Sequence, residues 1–143
     1  ITQTWRSITG ATTPRIALTH CTEKISEKFP ITISYQEVKK LAAEGRYGDV
    51  HIDGPMDVKT ACDAESGAIK GIASPVVGNA DIILFPDIEA GNTFYKTITY
   101  FAHATVAGML AGTTAPVVVT SRADSADSKF YSLAVACMKA ARK

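Results

Sequence analysis

The sequence predicts an α/β fold: a mostly parallel sheet with helices on both faces. Three observations predict it. Short β-branched runs alternate along the chain with stretches of helical periodicity. Two runs, Asp81 to Phe85 and Pro116 to Thr120, are almost wholly apolar, as strands covered on both faces are. The chain has 143 residues, 46% hydrophobic and 20% charged, enough for one buried core.

The elements follow in order. Ile1 to Ile8 reads as the end of a helix. Arg15 to His20 reads as a strand after Pro14. Ser34 to Arg46 reads as a helix, with Val38, Leu41 and Ala42 on one stripe and Ser34 with Glu37 as a capping box. Gly45 or Gly48 stops it. Asp49 to Asp53 is a second strand. Pro55 is expected at the first position of the next helix, which runs to about Ala68. Asp81 to Phe85 is a buried strand and Pro86 to Gly91 a loop. Asn92 to about Ala104 is a helix with Phe94, Tyr95, Ile98 and Phe101 on one side. Thr105 to Leu110 and Pro116 to Thr120 are further strands, the second one buried. Ser125 to Arg142 is the last helix, with Leu133, Ala136, Cys137 and Ala140 on one face.

Composition excludes several functions. The formal net charge is +1 and no basic stripe appears, so nucleic acid is not an expected partner. The most apolar stretch, Thr105 to Val119, is interrupted by Gly108, Gly112 and Pro116 and is shorter than the roughly 20 residues of a membrane span. Cys21, Cys62 and Cys137 form neither a disulfide framework nor a metal knuckle, and the first residues resemble no secretory leader. A cytoplasmic setting with reduced thiols is therefore expected. His20, His51 and His103 are scattered, so no metal site is expected. The glycine-rich signatures of dinucleotide and P-loop sites and the GxSxG elbow are missing.

Ligands of parallel α/β sheets bind outside the carboxyl ends of the strands, so three strand exits matter. At the first, Asp53 either accepts a hydrogen bond from a ligand or caps the next helix. At the second, Gly91 and Asn92 are placed at a helix opening, where free N–H groups and the dipole suit a phosphate, with Lys96 one turn on. A plain helix cap explains the same residues. At the third, Ser121 and Arg122 deliver a hydroxyl and a planar cationic fork, and Asp124 or Asp127 is a possible base. The bland alternative pairs Arg122 with either acid and leaves Asp124 or Ser125 as a cap.

These segments carry a family resemblance. Val76 to Lys96, VVGNADIILFPDIEAGNTFYK, resembles the AGKADI…P-(N/D)-(I/L)-x-A-G-N-x-x-Y-K block of phosphate acyltransferases. Pro116 to Lys129, PVVVTSRADSADSK, resembles the PVVLTSRADSAExK block of their butyryl branch. Asp53-Gly-Pro-Met is similar to the DGPL element, and Thr22-Glu-Lys with Lys28-Phe-Pro also looks like the butyryl branch. The resemblance implies a transferase moving a butyryl or other short acyl group between coenzyme A and phosphate. The coenzyme A thioester is then a substrate and no cofactor or metal is bound. It implies a half of the isocitrate or isopropylmalate dehydrogenase-like fold, and a homo-oligomer.

By the family's serine-arginine pair, Ser121 and Arg122 are the implied catalytic residues. The acetyl branch has its base six residues after that arginine, where this chain has Ser128, so Asp124 and Asp127 are the candidate bases, with Asp124 preferred as the nearer to the strand exit. Gly91, Asn92, Lys96 and Asp53 are the implied substrate contacts. Family members are about twice as long. The implied division is residues 1–115 as the second α/β domain and 116–143 as a segment returning toward a first domain. With Ile1 in place of a methionine, a fragment inactive by itself is expected. Acetyl transfer, or a non-catalytic small-molecule-binding fragment, is the alternative. A receiver-like domain lacks its acidic pair in Leu18 to Thr22, and a decarboxylating dehydrogenase lacks clustered aspartates.

Overall fold

The structure, a computed structural model, describes residues 1–141. The carboxyl end expected for the last helix, at Arg142, lies outside them. The described elements are α1 (Thr2–Thr9), β1 (Arg15–Thr19), α2 (Pro30–Ala43), β2 (His51–Met56), α3 (Val58–Cys62), α4 (Ala64–Lys70), β3 (Ile82–Leu84), α5 (Ile88–Phe101) and α6 (Ala126–Ala141). The chain divides into two compact units, one of residues 12–92 and one of residues 1–11 with 93–143.

The first unit holds a three-stranded parallel sheet in the order β2-β1-β3. The α/β class expected from the alternating pattern is therefore observed. Ile16, Ala17 and Leu18 of the central strand are essentially inaccessible, and Ala17 clusters with Met56, Ala61, Val76 and Val77. Removing a side chain such as Leu18 from water contributes about 2 kcal/mol. Helix α2 packs along β2, and the buried Tyr35 donates its phenol proton to the Thr19 carbonyl at 3.0 Å.

Several boundaries differ from expectation. Helix α2 begins at Pro30, not Ser34, because proline fixes φ at the first turn and needs no N–H partner there. Ser34 and Glu37 thus lie inside the helix. Pro55 is not a helix start: it sits inside β2, after a residue with φ 145° at Gly54. The expected single helix to Ala68 is two short ones. Asp57 caps α3 through the Thr60 N–H at 2.7 Å, and Asp63 ends it and caps α4 through the Glu65 N–H at 3.0 Å. Strand β3 is half-buried rather than enclosed, since among the described strands only β1 bonds to it.

Lys70 joins the Asp57 cap, with its ammonium 2.6 Å from Asp57 Oδ2, and also bonds Glu23. The ammonium and the Thr60 amide hold the Asp57 carboxyl down at about 2. A carboxyl lowered in the folded state favours folding above its unfolded range near pH 4, and that contribution fades as pH falls toward 2. Lys70→Met is expected to flatten the loss of urea midpoint between pH 4 and pH 2. An unchanged acid limb would show that the pair is inert.

In the second unit α1 packs against α6, and Ser132, nearly inaccessible, ties α6 to the Gly108 amide at 2.9 Å. The two strands expected here do not form. Leu110 and Val117 share one antiparallel bridge, Val117 is 37% exposed and Val119 72%. The β-branched residues set an extended backbone, but a strand is held by a bonded neighbour, and among the described residues no strand runs beside 116–120. Leu133 is also exposed, so the apolar face read on α6 is not buried at that position.

Candidate functional site

Helix α5 opens four residues before its expected start. Asp87, following Pro86, accepts the Ala90 N–H at 2.7 Å, and the Gly91 N–H bonds the Asp87 carbonyl at 3.2 Å. Gly91 and Asn92 therefore lie a turn inside α5, and the anion-binding helix opening expected at them is not there. The opening is at Asp87 to Glu89, where two carboxylates already face the dipole. Asn92 remains an exposed side chain on the helix surface.

Asp53 is a strand residue and not a helix cap. Its Oδ1 accepts the Lys39 ammonium at 2.5 Å and the Gly54 N–H at 2.8 Å, while Lys39 also reaches the Gly54 carbonyl at 3.3 Å. Burial pushes the Asp53 carboxyl up. Hydrogen bonds from Lys39, Ser74 and Gly54 more than offset this and leave it below its ordinary value. Two grooves, of about 380 and 200 Å³, flank the pair along β2. Lys39 had no signal in the sequence: a lysine on a helix 14 residues away is ordinarily read as a solvated face.

The third exit carries the strongest arrangement. The Ser121 N–H donates to Asp124 Oδ2 at 2.7 Å, and the Asp124 N–H donates back to the Ser121 carbonyl at 3.1 Å. Asp124 Oδ1 accepts the Tyr95 phenol proton at 2.6 Å. The Lys96 ammonium stands 4.5 Å from the centroid of the Tyr95 ring. The Tyr95 phenol and the Ser121 amide lower the Asp124 carboxyl, with Lys96 and Lys129 adding attraction. The same bond raises the Tyr95 phenol, since losing its proton beside a carboxylate is unfavourable.

Arg122 is exposed, and its guanidinium has no hydrogen bond or ion pair among the described residues. The pairing of Arg122 with Asp124 or Asp127 that a bland account requires is absent. Asp127 is exposed in the first turn of α6, and Ser128 donates its N–H to Ser125 Oγ as part of that helix start. Thus Lys96, Ser121 and Asp124 come together through Tyr95, which the sequence marked only as part of the aromatic side of this helix and of the AGNTFYK run. Asp53, Gly91 and Asn92 belong to the other unit. Among the described residues no group of three or more histidine, cysteine, aspartate or glutamate side chains is placed to hold a metal ion.

Fold and site define an α/β protein that offers, on one short turn, a hydroxyl and a guanidinium unpaired among the described residues. The chain belongs to the phosphate acetyl/butaryl transferase family, whose sequence profile matches residues 2–137. It is 41% identical over 139 residues to a phosphate acetyltransferase of Rhizobium meliloti, covering 97% of this chain and 44% of that protein. It is 40% identical over 134 residues to the phosphate butyryltransferase of Clostridium acetobutylicum, covering 94% of this chain and 44% of the other. A branched-chain phosphotransacylase from Enterococcus faecalis V583 superposes with a TM-score of 0.83 at 36% identity. That match takes in 96% of this chain and 51% of the solved one. The chain thus spans about half the length of the relatives it matches.

Proposed function

We propose that this chain supplies the serine-arginine part of a phosphate acyltransferase site, which moves a butyryl or other short acyl group between coenzyme A and inorganic phosphate. The observation that carries this is the unpaired Arg122 guanidinium beside Ser121, with the neighbouring acid Asp124 committed elsewhere. A phosphate oxygen attacks the thioester carbonyl, and a tetrahedral oxyanion forms. The carbon–sulfur bond then breaks, leaving acyl phosphate and the coenzyme A thiolate, which takes up a proton. Arg122 offers two parallel donors to phosphate or to the oxyanion, where fixed donors contribute most. Ser121 adds a hydroxyl, and Lys96 a second cation. Gly91, Asn92 and Asp53 are assigned to substrate contact on the resemblance alone.

Coenzyme A acts here as substrate, in a homo-oligomeric enzyme of the cytoplasm. Three free, exposed cysteines suit a reducing setting, and among the described residues no helix is long and apolar enough to cross a membrane. Residues 1–115 are assigned to the second domain of the transferase and 116–143 to a segment returning to the first. Transfer of acetyl in place of butyryl is the second reading, favoured by the identity to the Rhizobium acetyltransferase.

The test is thiol release from butyryl-CoA. The 143 residues alone are expected to release little, and a chimera joining them to the amino-terminal half of the Clostridium relative is expected to show phosphate-dependent release. A folded but inert chimera would contradict the proposal.

A further inference from the structure

Asp124 lies next to the reacting groups, yet its geometry does not suit a base. Both carboxylate oxygens are engaged, Oδ1 by the Tyr95 phenol at 2.6 Å and Oδ2 by the Ser121 amide at 2.7 Å. Its own N–H returns to the Ser121 carbonyl at 3.1 Å, which closes the turn on itself. The Ala123 N–H reaches Ser121 Oγ at 3.4 Å. Tyr95 is in turn set by α5, whose backbone carbonyl at Tyr95 takes the Thr99 hydroxyl at 2.9 Å. Lys96 lies over the Tyr95 ring, and Lys96 and Lys129 are the cations that act on the carboxylate. A proton acceptor works best with a pKa near the working pH and with a lone pair facing the proton. Asp124 departs from the first condition, since Tyr95 and Ser121 hold its carboxyl below the ordinary value, and each of its oxygens already accepts a hydrogen bond that fastens the turn.

We propose that Tyr95 is a positioning residue: through the Asp124 carboxylate it fixes the 121–124 turn to α5 and so presents the Ser121 hydroxyl and the Arg122 guanidinium together. Asp124 is then the clasp of that turn and not the base for the coenzyme A thiol. In the forward direction sulfur leaves as the thiolate and needs no base; in the reverse direction the thiol attacks the acyl carbon, the carbon–oxygen bond to phosphate breaks, and the thiol proton ends on the phosphate released. The clasp itself stands on geometry. Its consequence for phosphate rests on the acyl-transfer reading.

The experiment is amide NMR on the full 143-residue chain. In the wild type the Ser121 amide should titrate with Asp124 below the ordinary carboxylate range. In Tyr95→Phe that titration should move upward and Ser121 amide exchange should quicken by about tenfold. An unchanged Ser121 titration and exchange in Tyr95→Phe overturns the clasp. Asp124→Asn provides a second route if that variant does not fold. It should abolish the acid titration of Ser121 and lower the raised Tyr95 phenol, followed at 295 nm, toward its ordinary value. A phenol that does not move overturns the clasp equally.

Inorganic phosphate gives the functional arm. Binding weakened severalfold in Tyr95→Phe supports positioning, and equal binding in both proteins overturns it. A wild type that gives no phosphate response counts against the acyl-transfer reading, while Ser121 alone still decides the clasp.

Discussion

Gly54→Ala is expected to destabilise the protein by about 3–5 kcal/mol, enough to leave much of it unfolded. Two effects add. The residue has φ 145°, a backbone region that side chains on L-residues rarely enter. A Cβ there would also lie 2.4 Å from the Leu18 carbonyl oxygen and 2.8 Å from the Leu18 Cβ. Leu18 is fully buried in the central strand, so neither chain can withdraw without parting β1 from β2. Gly45→Ala is the control. It also has positive φ, 75°, but nothing lies within 4 Å of an added Cβ. It should cost about 1 kcal/mol from backbone strain alone. Urea midpoints of the two variants would separate close approach from φ, and equal midpoints would show that the contact with Leu18 does not matter.

Arg122→Ala is expected to lower phosphate-dependent thiol release in the chimera about 100- to 1,000-fold, as removal of one fixed oxyanion donor does. The fold should be untouched, because the guanidinium has no partner to lose among the described residues. Arg122→Lys should recover only part of the activity, since an ammonium keeps the charge but not the two parallel donors. A stable Arg122→Ala chimera with near wild-type release would remove Arg122 from the chemistry.

The fold class was legible because short β-branched or apolar runs alternate with stretches of helical periodicity, and β1, α2, β2, β3, α5 and α6 all stand where those patterns lie. Boundaries were less legible. Asn92 drew attention as the start of α5, yet Pro86-Asp87 was a sufficient start signal, and the helix begins just behind it. The valines of 117–119 carry strong β preference, but among the described residues no neighbouring strand completes them. In the site, Ser121, Arg122 and Asp124 were legible as one turn because they are adjacent in sequence. Their connection to Tyr95 spans 29 residues, and that of Asp53 to Lys39 spans 14. Neither distance leaves a local pattern. Nor does a sequence show that Arg122 has no acid partner among the described residues, because Asp124 is engaged by Tyr95 and the Ser121 amide only on folding.

The most direct measurement is a titration of the isotope-labelled chain with inorganic phosphate, read at every backbone amide. Shifts centred on Ser121 to Asp124, with a response at Lys96, and their loss in Arg122→Ala are the predicted result. Shifts that survive Arg122→Ala unchanged, or that gather away from the 121–124 turn, would contradict it.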